Sequence, residues 1–275
     1  MKKLYLYILG EDASHSSDQI NCPVPKKINE DEIFFGPCMP NIRASLFKKY
    51  LKLNILEGKE NCFINDEIYL AGINSIKKGL VRKILWTGQI VELTTFKGAW
   101  EKIHLSDKNK EKYQLLITGD DQPLHVEPIQ EEKNQLIGYR HRKNGTHRKD
   151  WIRDLTTDYN NIKQNFIINP DKNEIRLIDK KKRLNVLNRD ISFWMKKIFY
   201  VNTLGIVLDD DFLDIIRLAI PDKKDSISNR TPFGKTNKTP LVMRNQGLVL
   251  IDEYVDSFVS LVKEIGSKLP TLKIN

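Results

Sequence analysis

Between Tyr139 and Arg153 the chain reads YRHRKNGTHRKDWIR, where Arg140, Arg142, Lys143, Arg148, Lys149 and Arg153 face a single acid, Asp150. Arginine forks onto phosphate oxygens through paired N–H groups, and lysine adds a compact positive charge. Asn144–Gly145–Thr146 has turn chemistry, so the basic side chains would lie on two arms able to straddle a phosphate backbone. Tyr139 and Trp151 stand in the same run, as rings on which a base can stack. The segment predicts a clamp for DNA or RNA. A solvated hairpin paired with Glu131 and Glu132, or a catalytic loop, are the alternatives.

No catalytic residue can be named from type and spacing. In PDKNEIRLIDK (170–180), Asp171, Glu174 and Lys180 faintly resemble the acidic strand of restriction-type nucleases, which would bind Mg2+ at converging carboxylates. However, Arg176 stands where that pattern has lysine, and Asp171 falls in a turn. Further carboxylates cluster at Asp120–Asp121, Asp209–Asp211 and Asp214. His125, close to Glu127 in LHVEP, suits either an acid–base pair or two polar positions of a strand. His141, His147, Cys22, Cys38 and Cys62 show no metal-ligand spacing, so no metal site is expected. RTPFGKT (230–236) lacks the glycine architecture of a phosphate-binding loop. No G-x-S-x-G, H-E-x-x-H or dinucleotide-binding fingerprint occurs. Apart from the Mg2+ of a nuclease, no cofactor is implied.

The charge is unevenly placed. The net +9 of this 275-residue chain comes from 45 basic and 36 acidic side chains. Residues 131–200 hold 17 Lys/Arg against 9 Asp/Glu, a surplus of 8; residues 1–130 hold 18 against 17, and 201–275 ten of each. A surplus confined to one region can build a local field. With 40% hydrophobic residues the chain can bury one substantial core or two smaller ones. Three cysteines are better read as reduced thiols of a cytoplasmic protein than as a disulfide scaffold. MKKLYLYILGED has the look of a signal-peptide start. Its apolar stretch ends at Leu9, before Glu11–Asp12, which fits a buried strand, and no apolar run is long enough to span a membrane.

The elements that must position these groups alternate between short strands and helices. Strands are expected at Leu4–Leu9, Ile68–Ile73, Leu80–Trp86, Gln89–Leu93 and Tyr113–Ile117, with Gly72, Gly79 and Gly88 marking turns or bulges. Ile42–Asn54 fits a helix, and Thr95 can cap another carrying Phe96, Ala99, Trp100 and Ile103. Phe166–Ile168 and Glu174–Asp179 flank the turn NPDKN. Asn188 is placed to cap a helix bearing Ile191, Trp194, Met195, Ile198 and Phe199. Leu204–Leu208 fits a short strand and Asp211–Ala219 a short helix. Asp222–Pro240 is polar enough for a mobile or binding loop. Ile251, Tyr254, Val255, Phe258, Leu261, Val262 and Ile265 form a helical stripe. The pattern is α/β or α+β, with a mixed sheet or small β-barrel core. It implies a sheet-centred domain over 1–130 and a basic, more helical extension over 131–275.

LYLYILGED, FFGPCMPNIRASLF (34–47), IYLAGI (68–73) and VRKILWTGQIVELTTFKGAW (81–100) follow an order that resembles the small β-barrels of the nucleotide-modification-associated and PUA/ASCH/EVE-like families, over about residues 1–120. The resemblance implies a compact barrel with a pocket for a nucleobase, often a modified one, in DNA modification, phage defence or RNA handling. It would place Cys38, Asn41 and Arg43 on a pocket-forming segment, and Trp86, Phe96 and Trp100 in the core or pocket wall.

The sequence thus predicts a nucleic-acid-binding protein that recognises a modified or flipped base, with DNA or RNA as its partner. A metal-dependent nuclease or base-processing enzyme is the second expectation. The third is a structural or partner-binding protein, with a homodimer formed through the C-terminal helix.

Overall fold

The computed structural model describes residues 2–8, 25–37, 39–74, 83–118, 122–131, 134–142, 151–201, 205–219 and 248–269. Among these, the strands are β1 (Lys2–Ile8), β2 (Lys26–Lys27), β3 (Glu32–Phe35), β4 (Asn61–Ile73), β5 (Lys83–Thr94), β6 (Val126–Gln130), β7 (Leu136–His141), β8 (Phe166–Asn169), β9 (Glu174–Leu177), β10 (Ser192–Tyr200), β11 (Ile206–Val207) and β12 (Leu248–Ile251). The α-helices are α1 (Pro40–Leu46), α2 (Lys52–Leu56), α3 (Phe96–His104), α4 (Asp107–Tyr113), α5 (Ile162–Asn165), α6 (Arg183–Val186), α7 (Asp210–Ala219) and α8 (Glu253–Lys268). A π-helical turn, Phe47–Leu51, joins α1 to α2. Among the described residues the fold is mixed α/β with two sheets, and the longest α-helix is α8, toward the C-terminus. No helix among the described residues is long and apolar enough to cross a membrane.

The chain divides into two compact units that interleave along the sequence. The first draws its residues from Met1–Cys22, Asn65–Ile90 and Lys196–Asn275, the second from Pro23–Ile64 and Val91–Met195. In the first unit β1 runs parallel to β4, pairing Leu4 with Tyr69, and antiparallel to β12, pairing Leu4 with Leu250. The apolar stripe of α8 buries Val255, Phe258, Val259 and Val262, and Phe258 meets Phe212 of α7 edge-on at 4.9 Å. In the second unit β6, β7, β9 and β8 form an antiparallel sheet. Tyr139 and Ile175 are buried on one face of it; Arg140 and Arg176 are exposed on the other, where Glu174 is buried in ion pairs with both. A Cβ on Gly138 would come within 2.0 Å of the Ile175 carbonyl oxygen, so only glycine lets β9 approach so closely.

Thr95 caps α3 as its sequence predicts, its Oγ1 accepting from the Gly98 N–H at 2.9 Å. Phe96, Ala99 and Ile103 then recur at helical spacing and enter the core with Tyr113, Val126, Tyr139, Trp151, Ile175 and Trp194.

Four expectations about local structure are corrected. Residues 192–200 form β10, not a helix capped by Asn188. Ser192, Phe193, Trp194 and Met195 are all buried, so both faces of the strand are covered and the sequence runs apolar without alternation. Tyr113–Ile117 is the end of α4 followed by a 3-10 turn. β5 passes straight through Gly88, which marks no turn. Nor is there a closed small β-barrel among the described residues. Neither sheet closes on itself, since β12 and β2 end one and β6 and β8 end the other.

Candidate functional site

A ring of charged and polar side chains is built into the second unit. Glu60 lies just before β4. Arg183, which opens α6, donates to both of its carboxylate oxygens at 2.7 and 2.6 Å, the bidentate geometry that makes such pairs strong. Thr95 donates its hydroxyl to Glu60 Oε2 at 2.6 Å, and Lys97 Nζ lies 3.2 Å from Oε1. Arg183 also stands 3.6 Å from Asp190, whose Oδ2 accepts from the Tyr139 hydroxyl at 2.6 Å and whose Oδ1 accepts from the Phe96 N–H at 2.9 Å. The Tyr139 oxygen in turn accepts from the Lys97 backbone N–H at 3.2 Å, which closes the ring.

Glu60, Arg183, Asp190 and Tyr139 are each shifted from their ordinary ranges. Burial alone would raise the Glu60 carboxyl, but the Arg183 guanidinium, with Thr95 and Lys97, holds it down at about 2. Burial opposes the charge on Arg183, yet its bonds to Glu60 and the nearby Tyr139 and Asp190 raise it. Asp190 is pushed up by burial against the pull of Arg183, and burial together with the Asp190 charge drives Tyr139 well above its usual range. The ring is a network of ion pairs and hydrogen bonds that ties α3, β7 and α6 together.

Beside this ring lies an open cleft of about 930 Å3, and every residue lining it belongs to the second unit. Glu60, Lys97 and Arg183 of the ring are part of its lining. Glu92, buried and bonded by Asn61 at 2.9 Å and Lys102 at 2.7 Å, lies in the same lining. Lys180 and Lys181 join from the turn before α6. The lining has five cations (Lys97, Lys102, Lys180, Lys181 and Arg183) and three carboxylates (Glu60, Glu92 and Glu101), a surplus of two positive charges. Leu56, Phe63 and Leu105 also line it, with 66%, 72% and 80% of their surfaces exposed.

The predicted clamp residues that the structure describes are engaged in separate places. Tyr139 is fully buried and Trp151 nearly so, which leaves neither ring a face for a base. Arg140 is engaged by Glu127 at 2.8 Å and by Glu174 on the face of the sheet opposite Tyr139. Arg142 donates to Gln122 and to the Ile117 carbonyl and lies over Trp100, 4.9 Å from the ring centre. Arg153 is exposed, over the Tyr159 ring. Lys143, Arg148 and Lys149 lie outside the described residues, as do His147, Asp120, Asp121 and residues 222–240.

The predicted pocket residues that the structure describes each have surroundings of their own. Arg43 is buried, its Nη1 donating to the carbonyls of Asp154 at 3.0 Å, Ile191 at 3.2 Å and Arg189. It anchors loops. Asn41 is exposed on α1, and Trp86 is buried in the first unit against Gly72. Trp100 is half-buried and packs on His104 at 4.2 Å. Cys38 lies outside the described residues. Of the nuclease candidates, Asp171 is in an exposed turn, Glu174 pairs with Arg140, and Lys180 pairs with Glu131. No group of three His, Cys, Asp or Glu suited to a metal occurs among the described residues. His125 is buried against Phe96 at 5.0 Å, whereas Glu127 is bound to Arg140.

No family model, curated protein or solved structure matches this chain. The likeness to the PUA/ASCH/EVE barrels therefore has no support from comparison. The strands that carried it sit in open sheets, and β1 and β3 belong to different units. Glu60, Phe63, Lys97, Lys102, Arg183 and Asp190 make up the site instead. Only the lysine-rich DKKKR run at 179–183 offered a local sign of it.

Proposed function

We propose that the second unit binds nucleic acid along this cleft, with phosphates held by its lysines. The observation that carries the proposal is the excess of cations in the lining, at an open cavity of ligand size. Lys97, Lys102 and Arg183 are matched by Glu60, Glu92 and Glu101 and serve the fold. The charge left for a ligand comes from the lysines before α6. Lys180 is paired with Glu131, whereas Lys181 is exposed and its ammonium has no partner among the described residues; Lys182, next along but outside the lining, is exposed and lies 3.6 Å from Asp179. The regional surplus of 17 basic over 9 acidic residues in 131–200 supplies a field that would draw a polyanion. This role is recognition, without bond chemistry.

Binding of the full chain to fluorescent DNA and RNA oligonucleotides, titrated against salt, tests the proposal. Affinity should fall steeply with salt. Changing Lys181 and Lys182 together to alanine should weaken binding and reduce the log–log slope by about 1 to 2, as expected for two lost phosphate contacts. Absence of binding at low salt, or a slope untouched by the double change, would overturn it.

A further inference from the structure

We infer that the strand taken by this cleft is single-stranded, with a base laid against Phe63; the inference rests on the nucleic-acid role proposed above. Phe63 and Asn61 are two residues apart on β4, share one face of the strand, and both line the cleft. The Phe63 ring is 72% exposed, and among the described residues no other ring or cation lies over it. A lone exposed phenylalanine would need no explanation. This one shares a cavity with exposed Leu56 and Leu105 and with a surplus of positive charge, so apolar and cationic side chains line the same cavity. Such a pairing suits a ligand that presents flat apolar faces and phosphates side by side, as an unpaired strand does.

Size separates this ligand from a duplex. A cavity of about 930 Å3 is on the scale of small-molecule sites and can enclose a nucleotide. A B-form duplex keeps its base faces stacked inside and could not lay one against Phe63. The exposed amides of Asn134 and Gln135, also in the lining, can donate to and accept from the edge of a base that has entered.

The test compares oligo-dT of about 20 nucleotides with the oligo-dT·oligo-dA duplex of the same length, on wild type, F63A, F63W and the Lys181/Lys182 double-alanine variant. Wild type should prefer the single strand. F63A should weaken single-strand binding by about tenfold and leave the salt slope unchanged, whereas F63W should retain affinity because the indole also stacks. The double-alanine variant should flatten the slope and keep the preference for the single strand. Equal affinity for duplex and single strand, or F63A binding as wild type does, overturns the inference and leaves the nucleic-acid role standing. If neither oligonucleotide binds wild type, both fall. An unchanged unfolding midpoint in F63A confirms that any loss lies in binding.

Discussion

Arg183→Met is expected to lower the unfolding free energy of the second unit by about 4 kcal/mol, because removing one partner of a buried ion pair leaves the other charge uncompensated. Glu60 would keep only Thr95 and Lys97, and Asp190 would lose the guanidinium 3.6 Å away. Three of the four tryptophans, Trp100, Trp151 and Trp194, lie in this unit, so denaturant unfolding followed by fluorescence reports it. The effect should depend on pH with a definite sign. Glu60 is held at about 2 in the folded chain against an ordinary 4.5, so its contribution is complete above about 4.5 and is lost as the pH falls through 2. That gap corresponds to about 3 kcal/mol. The difference between wild type and variant should accordingly be full at neutral pH and shrink on acidification. A difference that stays flat down to pH 2 would show that Arg183 does not hold the Glu60 carboxylate. Replacing both residues by methionine should restore much of the stability, since no buried charge is then left alone.

Asp190→Ala is expected to cost about as much, also near 4 kcal/mol, by a different route. The Asp190 carboxylate accepts from the Tyr139 hydroxyl and from the Phe96 N–H at the start of α3, and all of these groups are buried. Alanine leaves both donors without an acceptor, and each buried donor so stranded costs about 1–3 kcal/mol. Tyr139→Phe removes only the hydroxyl and should cost less, about 1.5 kcal/mol. Equal losses in the two variants would contradict the role assigned to the Phe96 bond. Chemical denaturation at neutral pH separates them.

Elements specified by neighbouring residues were legible in the sequence. Thr95 and the spacing Phe96, Ala99, Ile103 predicted α3, the turn NPDKN predicted the β8–β9 pair, and the C-terminal stripe predicted α8. Elements specified by what covers them were not. The residues of β10 mimic helical spacing because a strand buried on both faces shows no alternation. The site failed to show for a related reason. Arg140 was prominent in a dense basic run, but Glu174, 34 positions away, is brought beside it by strand pairing. Glu60 and Arg183 are 123 positions apart, and neither has a local feature that announces the other. Charge density along a chain marks where cations are made, and only the fold decides which of them are already paired.

The cleft as the nucleic-acid site is tested most directly by amide hydrogen exchange on the full chain, with and without saturating oligo-dT. Binding should slow exchange in 58–63, 97–105 and 180–184, the three stretches that carry Phe63, Lys97, Lys102, Lys181 and Arg183 around the cavity. Unchanged exchange in all three, or slowing confined to the first unit, would contradict it.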